Sequence, residues 1–197
     1  MNAPAAAVAE PTGPESESRW IREIAGGDRG AFDKLYRAYQ VPLFRYCVRM
    51  VGSAETAEEL VNDVLVAVWD SARRFRAESK PSTWIFGIAH HKALNALRRK
   101  ARPALALETM DELPHPQEGP EARLSRQGLG ERVRHALLAL SPEHREVVQL
   151  TFFHGLSYAE IAAIVKCPVN TVKTRMLHAR RKLQQVLEDM GLRSETA

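Results

Sequence analysis

Cysteine is scarce in this chain, where only Cys47 and Cys167 occur among 197 residues. They form no C-x-x-C pattern, so neither a disulfide framework nor a zinc site is indicated. No apolar run approaches the roughly 18 residues that a membrane-spanning helix needs. The segment 1–18 lacks the basic stretch of a signal peptide and is rich in Ala, Pro, Glu and Ser, which favours a disordered tail. We therefore expect a cytoplasmic protein that is not itself in the membrane.

Signatures of catalysis are missing as well. The sequence contains no P-loop, no Gly-rich cofactor loop, no metal-ligand pair and no nucleophile elbow. These absences argue against an enzyme, and we expect no cofactor, no bound metal and no small-molecule substrate. The alternation typical of β-strands is also missing, whereas apolar residues recur at helical spacing almost throughout. The predicted fold class is therefore all-α.

A change in composition divides the chain into two small helical domains. The first is predicted over 19–103 and the second over 129–192, where a helix-turn-helix is expected. Between them, 104–128 is rich in acidic residues and proline, a composition typical of a flexible linker.

Capping residues predict where the helices begin. Ser18 is predicted to cap the first helix, Asp28 the second and Ser53 the third. A long helix is expected from about Ser82 to Lys100. These helices would make up the first domain.

The second domain contains a helix-turn-helix pattern. Ser157 stands three residues before Glu160, which is the spacing of a capping box. Pro168 interrupts the helix that begins there, because proline removes a helical hydrogen bond. A basic helix follows, with Asn170 or a neighbour as its cap. Two short helices joined by a tight turn are typical of DNA-binding proteins.

The last helix is predicted to have an apolar and a basic face. At about 100° per residue, Val172, Met176, Ala179 and Leu183 form one buried stripe. On the other face, an apolar side chain lies among polar and cationic ones. Such a side chain suits contact with a thymine methyl in the DNA major groove, and the cations suit contact with DNA phosphates. The alternative is a solvated basic helix without a ligand. The candidates for DNA contact on that face and its flanks are Lys173, Thr174, Arg175, Leu177, His178, Arg180, Arg181 and Lys182.

The first domain carries a basic stretch of its own, over 92–102, with no acidic residue in it. Two such stretches are typical of two contacts with a polyanion. The nearby segment AEELVNDVLVAVWD has an acidic face with an apolar centre, which favours docking of a basic protein partner. Incidental exposure of the central Val66 is the alternative.

Taken together, these stretches resemble the ECF (extracytoplasmic function) group of bacterial sigma factors. FDKLYRAYQVPLFRYC, AEELVNDVLVAVWD, STWIFGIAHHKALNALRRK and the segment 140–183, which begins LSPEHREVVQL, occur in the family's order. The likeness extends from about residue 19 to 190. It implies the family's second and fourth sigma domains, and an alternative sigma factor that directs promoter-specific initiation of transcription.

The resemblance implies core RNA polymerase as a partner, through the clamp helices of its β′ subunit and its β flap. The linker would thread toward the active centre and the RNA exit channel. An anti-sigma factor is implied as a further partner, and the holoenzyme would be associated with the nucleoid. The residues that fall in the clamp-binding segment are Glu59, Asn62, Asp63, Val66 and Trp69.

Promoter DNA is the other implied partner. The last helix would read the −35 element as duplex, and the long helix with its preceding loop would open and read the −10 element. His91 replaces an Asn that is frequent in the family, and Asn95 replaces a frequent Asp, which implies a different −10 preference. The −10 candidates are Lys80, Ser82, Thr83, His91, Lys92, Asn95, Arg98 and Arg99.

A rival interpretation is a transcription regulator with a helix-turn-helix and a sensing first half. The wholly helical first half, with its own basic helix, argues against that. The adjacent His90 and His91 raise the idea of a metal or pH sensor. No cysteine or acid stands at ligand spacing, so a metal is not expected, whereas an effect of pH on DNA affinity is compatible with imidazole chemistry.

Overall fold

The computed structural model describes residues 13–101, 130 and 132–190, without the side chains of 100 and 101. Within these ranges every regular element is helical, and no helix is long and apolar enough to cross a membrane. The first half contains α1 (Pro14–Ala25), α2 (Arg29–Val51), α3 (Ala54–Ser71), a 3-10 turn (Ala72–Arg74) and α4 (Pro81–Ala101). The second half contains α5 (132–138), α6 (Pro142–Phe152), α7 (Tyr158–Val165) and α8 (Val169–Asp189).

Most of the predicted helix starts are confirmed. The Asp28 carboxylate accepts from the backbone N–H groups of Gly30 and Ala31, and the Ser53 hydroxyl accepts from Thr56 N. These bonds satisfy donors that have no partner inside the helix. Gly52, just before Ser53, has a φ of 79° and ends α2 in the left-handed region that glycine adopts readily.

Two predicted caps are wrong. Helix α1 begins at Pro14, whose ring fixes a helical φ at the first position, so Ser18 lies inside the helix and donates to Pro14 O at 2.7 Å. The expected tail over 1–18 is therefore too long, since 14–18 is helical. Helix α8 is preceded by Pro168 with extended backbone, so Asn170 lies in its first turn. The remainder of the tail and the linker prediction over 104–128 lie outside the described residues.

The two predicted helical domains are present, and they pack against each other. One hydrophobic cluster runs through both, from Ile21 and Leu35 in the first half to Ile161 and Met176 in the second. Contacts between the halves include those of α2 with α6 and of α4 with α7. Helix α8 packs on α6 and α7, away from this seam.

Candidate nucleic-acid interface

The turn between α7 and α8 fixes the direction of α8. Helix α7 starts at a complete capping box, in which the Ser157 hydroxyl accepts from Glu160 N and the Glu160 carboxylate accepts from Ser157 N. The helix ends at Lys166, whose φ of 51° is left-handed, and Pro168 then leads into α8. This is the helix-turn-helix that the sequence predicts.

Helix α8 buries the predicted stripe. Val172, Met176 and Ala179 are buried against α6 and α7, and Leu183 is half-buried. On the opposite face Leu177 is 49 % exposed. An apolar side chain is thus held out among cations by a helix whose other face is anchored in the core.

Seven of the eight −35 candidates are exposed on α8. The exception is Arg175, which is half-buried near the Glu143 carboxylate. Two others touch α6, since Arg180 lies over the Phe152 ring at 5.7 Å and the His178 ring meets that of His144 at 5.9 Å. The exposed seven are Lys173, Thr174, Leu177, His178, Arg180, Arg181 and Lys182.

The −10 candidates on α4 and its loop differ in solvent exposure more than those on α8 do. Thr83 is 5 % exposed and its buried hydroxyl has no hydrogen-bond partner. Lys80 Nζ lies 2.8 Å from Glu160 Oε1 in the second half, and this hydrogen bond, together with those from Ser157, lowers the pKa of Glu160 to about 2. Ser82 and Lys92 are half-buried, and the exposed candidates are Lys80, His91, Asn95, Arg98 and Arg99.

His91 stands near cations rather than acids. Desolvation, and then the nearby Lys166 and His90, lower the pKa of His91 below its ordinary value of 6.5, although Glu146 acts in the opposite direction. Its ring is therefore mostly neutral at neutral pH and suits hydrogen bonding more than charge attraction.

The acidic face of α3 is exposed as a surface. Glu59, Asn62 and Asp63 point to solvent, and Val66 is 58 % exposed among them. Trp69 is half-buried and meets the Phe32 ring edge-on, with 5.3 Å between centroids, so it supports the face more than it projects from it.

One ion pair joins the proposed −10 surface of the first half to its acidic α3 face. Lys92, a −10 candidate on α4, reaches Asp63 Oδ2 on α3 with Nζ at 3.3 Å. The pair is partly exposed, and pairs of this kind contribute little to stability. Both side chains therefore remain free to exchange this contact for one with a partner.

Sequence reasoning missed the polar contacts between the halves. Tyr46, His90 and Glu146 form a buried cluster, and neighbouring Arg145 reaches backbone carbonyls of α2. One signal was available. Glu146 stands four residues before Leu150, so a charged side chain shares the buried face of α6.

His90 takes part in that cluster. Its ring lies 5.1 Å from the His91 ring, and its Nδ1 faces Glu146. In the part of the chain that the structure describes, no three His, Cys, Asp or Glu side chains come together as metal ligands.

Two protein-family models match the chain. Sigma-70 region 2 matches residues 35–103, and Sigma-70, region 4 matches residues 130–183. The first match covers most of α2 and all of α3 and α4, and the second covers the helix-turn-helix.

The solved structures that resemble this fold include two sigma factor complexes. CnrH in complex with the cytosolic domain of CnrY has a TM-score of 0.68 and 25% identity, covering 88% of this chain and 98% of that one. The sigma factor RpoE in complex with the anti-sigma factor NepR from Bartonella quintana has a TM-score of 0.67 and 25% identity, covering 80% and 96%.

Relatives match along most of their length. RNA polymerase sigma factor YlaC of Bacillus subtilis is 33% identical over 166 residues, which cover 80% of this chain and 92% of YlaC. ECF RNA polymerase sigma factor SigE of Mycolicibacterium smegmatis is 30% identical over 181 residues, which cover 88% of this chain and 68% of SigE. With both sigma regions matched in order and the helix-turn-helix in place, the chain belongs to the ECF group of RNA polymerase sigma factors.

Proposed function

We propose that this protein binds core RNA polymerase and directs promoter-specific initiation of transcription as an alternative sigma factor. The observation that best supports this is the presence of two basic helices, α4 and α8, on different halves of a chain that also exposes an acidic face on α3. An initiation factor has to hold the polymerase and two promoter elements together, and these surfaces suit the three tasks.

Helix α8 reads the −35 element in this proposal. Its anchored face leaves Lys173, Leu177 and Arg181 on the exposed side. Leu177 meets a thymine methyl in the major groove while the cations contact base edges and phosphates. The half-buried Arg175 acts at the edge of the groove, where it holds a phosphate.

Helix α4 and its loop read the −10 element as separated strands. The exposed Asn95 and the neutral His91 offer hydrogen-bonding groups to unstacked bases. Arg98 and Arg99, three and four positions after Asn95, contact the backbone, where each cation displaces bound counterions.

The acidic face of α3 docks on the β′ clamp helices, with Val66 as its apolar centre and Glu59, Asn62 and Asp63 around it. A charged rim steers association and the apolar centre supplies burial on binding. The fourth sigma domain meets the β flap. The protein works where the polymerase works, in the cytoplasm, and it has no catalytic activity of its own.

A protein inhibitor belongs to this proposal. The two solved structures of similar fold were determined with the cytosolic domain of CnrY and with the anti-sigma factor NepR. We infer that an anti-sigma factor also holds this chain inactive until a signal releases it.

Run-off transcription tests the function. The purified chain is added to core polymerase that lacks an initiation subunit, with a genomic library as template. Discrete transcripts that depend on the chain are expected. A transcription regulator would act only on a holoenzyme that already contains another sigma factor, so activity restricted to holoenzyme would overturn the proposal.

A further inference from the structure

The first turn of α6 lies against the helix that is proposed to read the −35 element. The Ser141 hydroxyl accepts from His144 N at 3.4 Å, and Pro142 occupies the first helical position, so this turn is fixed at its start. Helix α6 also packs against α8. The turn therefore presents its side chains to α8 from a rigid support.

A pair of histidines joins the two helices. The ring of the half-buried His144 meets the ring of the exposed His178 edge-to-face, with 5.9 Å between centroids and 87° between the planes. Aromatic rings favour this orientation because the edge of a ring carries partial positive charge and its face partial negative charge. His144 thus limits how the His178 ring can turn.

His178 lies on the face of α8 that points to DNA in the proposed function. Thr174, Leu177 and Arg181 share this face at helical spacing, and all three are exposed. Within the described part of the chain, neither ring nitrogen of His178 takes part in a hydrogen bond. Both nitrogens are therefore available to a base edge, while the ring contact with His144 sets which way they point.

The orientation of an imidazole decides what it can recognise. A neutral imidazole has one N–H donor and one acceptor nitrogen, so it presents a different group to the groove when the ring turns over. Base pairs differ in the order of donors and acceptors along their major-groove edge. A ring that turns freely can pair with several of them, whereas a ring held in one orientation favours one.

Glu143, the neighbour of His144, acts on a phosphate contact instead. Hydrogen bonds from its own backbone N–H and from Ser141, with the Arg175 and His144 charges nearby, lower the pKa of the Glu143 carboxylate against the opposing effect of burial. The carboxylate is therefore ionised and attracts Arg175, which is proposed to hold a phosphate. Because phosphate contacts carry no sequence information directly, Glu143 should influence affinity for DNA of any sequence.

We propose that His144 is a positioning residue that sets the base preference of the −35 reader at one base pair. It holds the His178 imidazole so that a single ring nitrogen meets the base edge in the major groove, and it does not itself contact DNA. The inference rests on the proposed function of α8. It adds to that function a residue outside the helix-turn-helix, which consists of α7 and α8.

The chain offers a matched control at the other end of α6. Phe152 is 59 % exposed, and its ring centroid lies 5.7 Å from the guanidinium carbon of Arg180 on α8. Phe152→Ala removes an α6 ring that touches a phosphate-binding candidate, whereas His144→Ala removes an α6 ring that touches a base-reading candidate. Only the second change should alter base preference.

Base preference is measured by selection from duplex DNA. The full-length chain is mixed with duplexes that carry a randomised stretch between fixed ends, and the bound DNA is sequenced. The parent should select a motif, and comparison with His178→Ala identifies the base pair that His178 reads. There the parent should prefer one base about fivefold or more over the others, and His144→Ala should reduce this preference to less than about twofold. The other positions of the motif should stay unchanged.

Two further variants test whether the ring of His144 is responsible. His144→Gln keeps a polar side chain of similar size without a ring, so it should behave like His144→Ala. His144→Phe puts an aromatic ring back at the same place, so its preference should lie within about twofold of that of the parent. Far-UV circular dichroism and thermal denaturation verify that every variant keeps its helices.

Several results would overturn the inference while α8 remains a reader of DNA. They are full preference in His144→Ala at the base pair that His178 reads, a motif that His178→Ala leaves unchanged, and an equal loss at that base pair in Phe152→Ala or Glu143→Gln. Loss of preference at every position in His144→Ala would also overturn it, because the role of His144 would then be structural. A parent that selects no motif would count against the proposed function of α8 itself, and the inference would fall with it.

Discussion

The ring of His154 in the second half packs against the ring of Phe86 in the first, with 4.3 Å between their centroids. The Tyr46 ring lies on another side, 6.1 Å away. Desolvation, and then the Arg49 and Arg45 cations, lower the pKa of His154 from its ordinary 6.5 to about 4. The contact between the halves therefore requires the neutral imidazole.

Acidification is expected to weaken this contact. Because the pKa of His154 is lower in the folded state than in the unfolded state, its contribution to the free energy of unfolding is complete above about pH 6.5 and is lost as the pH falls toward 4. At pH 5 the loss should be about 2 kcal/mol. Urea denaturation at pH 7 and pH 5 measures it.

His154→Phe isolates this effect, since it keeps an aromatic ring that cannot be protonated. Between pH 7 and pH 5, the free energy of unfolding of His154→Phe should fall by about 2 kcal/mol less than that of the wild type. His135→Phe, at an exposed position on α5, should leave the pH dependence unchanged. If His154→Phe keeps the wild-type dependence, the lowered pKa is not coupled to stability.

Replacing Lys173 and Arg181 by Ala together should weaken binding to −35 duplex by about 2 to 3 kcal/mol, because groove and phosphate contacts are lost. Fluorescence anisotropy at several salt concentrations should also show a shallower salt dependence. Arg132→Ala, an exposed cation on α5, serves as the control. Unchanged promoter occupancy in the double variant would count against the assigned face.

Val66→Asp should reduce affinity for core polymerase at least tenfold, since it places a charge in the apolar centre of the docking face. Val41→Asp is the matched control, because Val41 is 47 % exposed but lies on α2. Co-purification and thermal denaturation separate a binding defect from a folding defect. Equal polymerase binding by the two variants would refute the assignment of the α3 face.

Arg145→Met should lower the free energy of unfolding by about 3 kcal/mol, because five hydrogen bonds to carbonyls of both halves lose their donor. Arg132→Met should change it by less than about 0.5 kcal/mol, as is usual for surface substitutions. Urea denaturation followed by circular dichroism makes the comparison. A loss no larger than that of the control would show that the guanidinium does not join the halves.

Local chemistry explains why so many of the element starts could be predicted. Asp28, Ser53 and Ser157 accept hydrogen bonds from backbone groups two or three residues ahead, so sequence spacing alone reveals them. The α8 stripe is predictable for the same reason, since helical periodicity fixes which residues share a face. The predicted cap at Ser18 was wrong because Pro14, a stronger start signal at the first helical position, lies four residues earlier.

The sequence by itself determined the helices, their apolar faces, the helix-turn-helix and the two basic stretches, because each depends on residues within one or two turns of one another. Only the tertiary structure decided how the halves meet. Tyr46 and Glu146 are 100 positions apart, and the charged residue on the apolar face of α6 shows that a partner is required without showing which. The packing of two whole domains decides which residues meet in such a pair. It depends both on the shapes of the two surfaces and on the need of the buried carboxylate for hydrogen-bond donors.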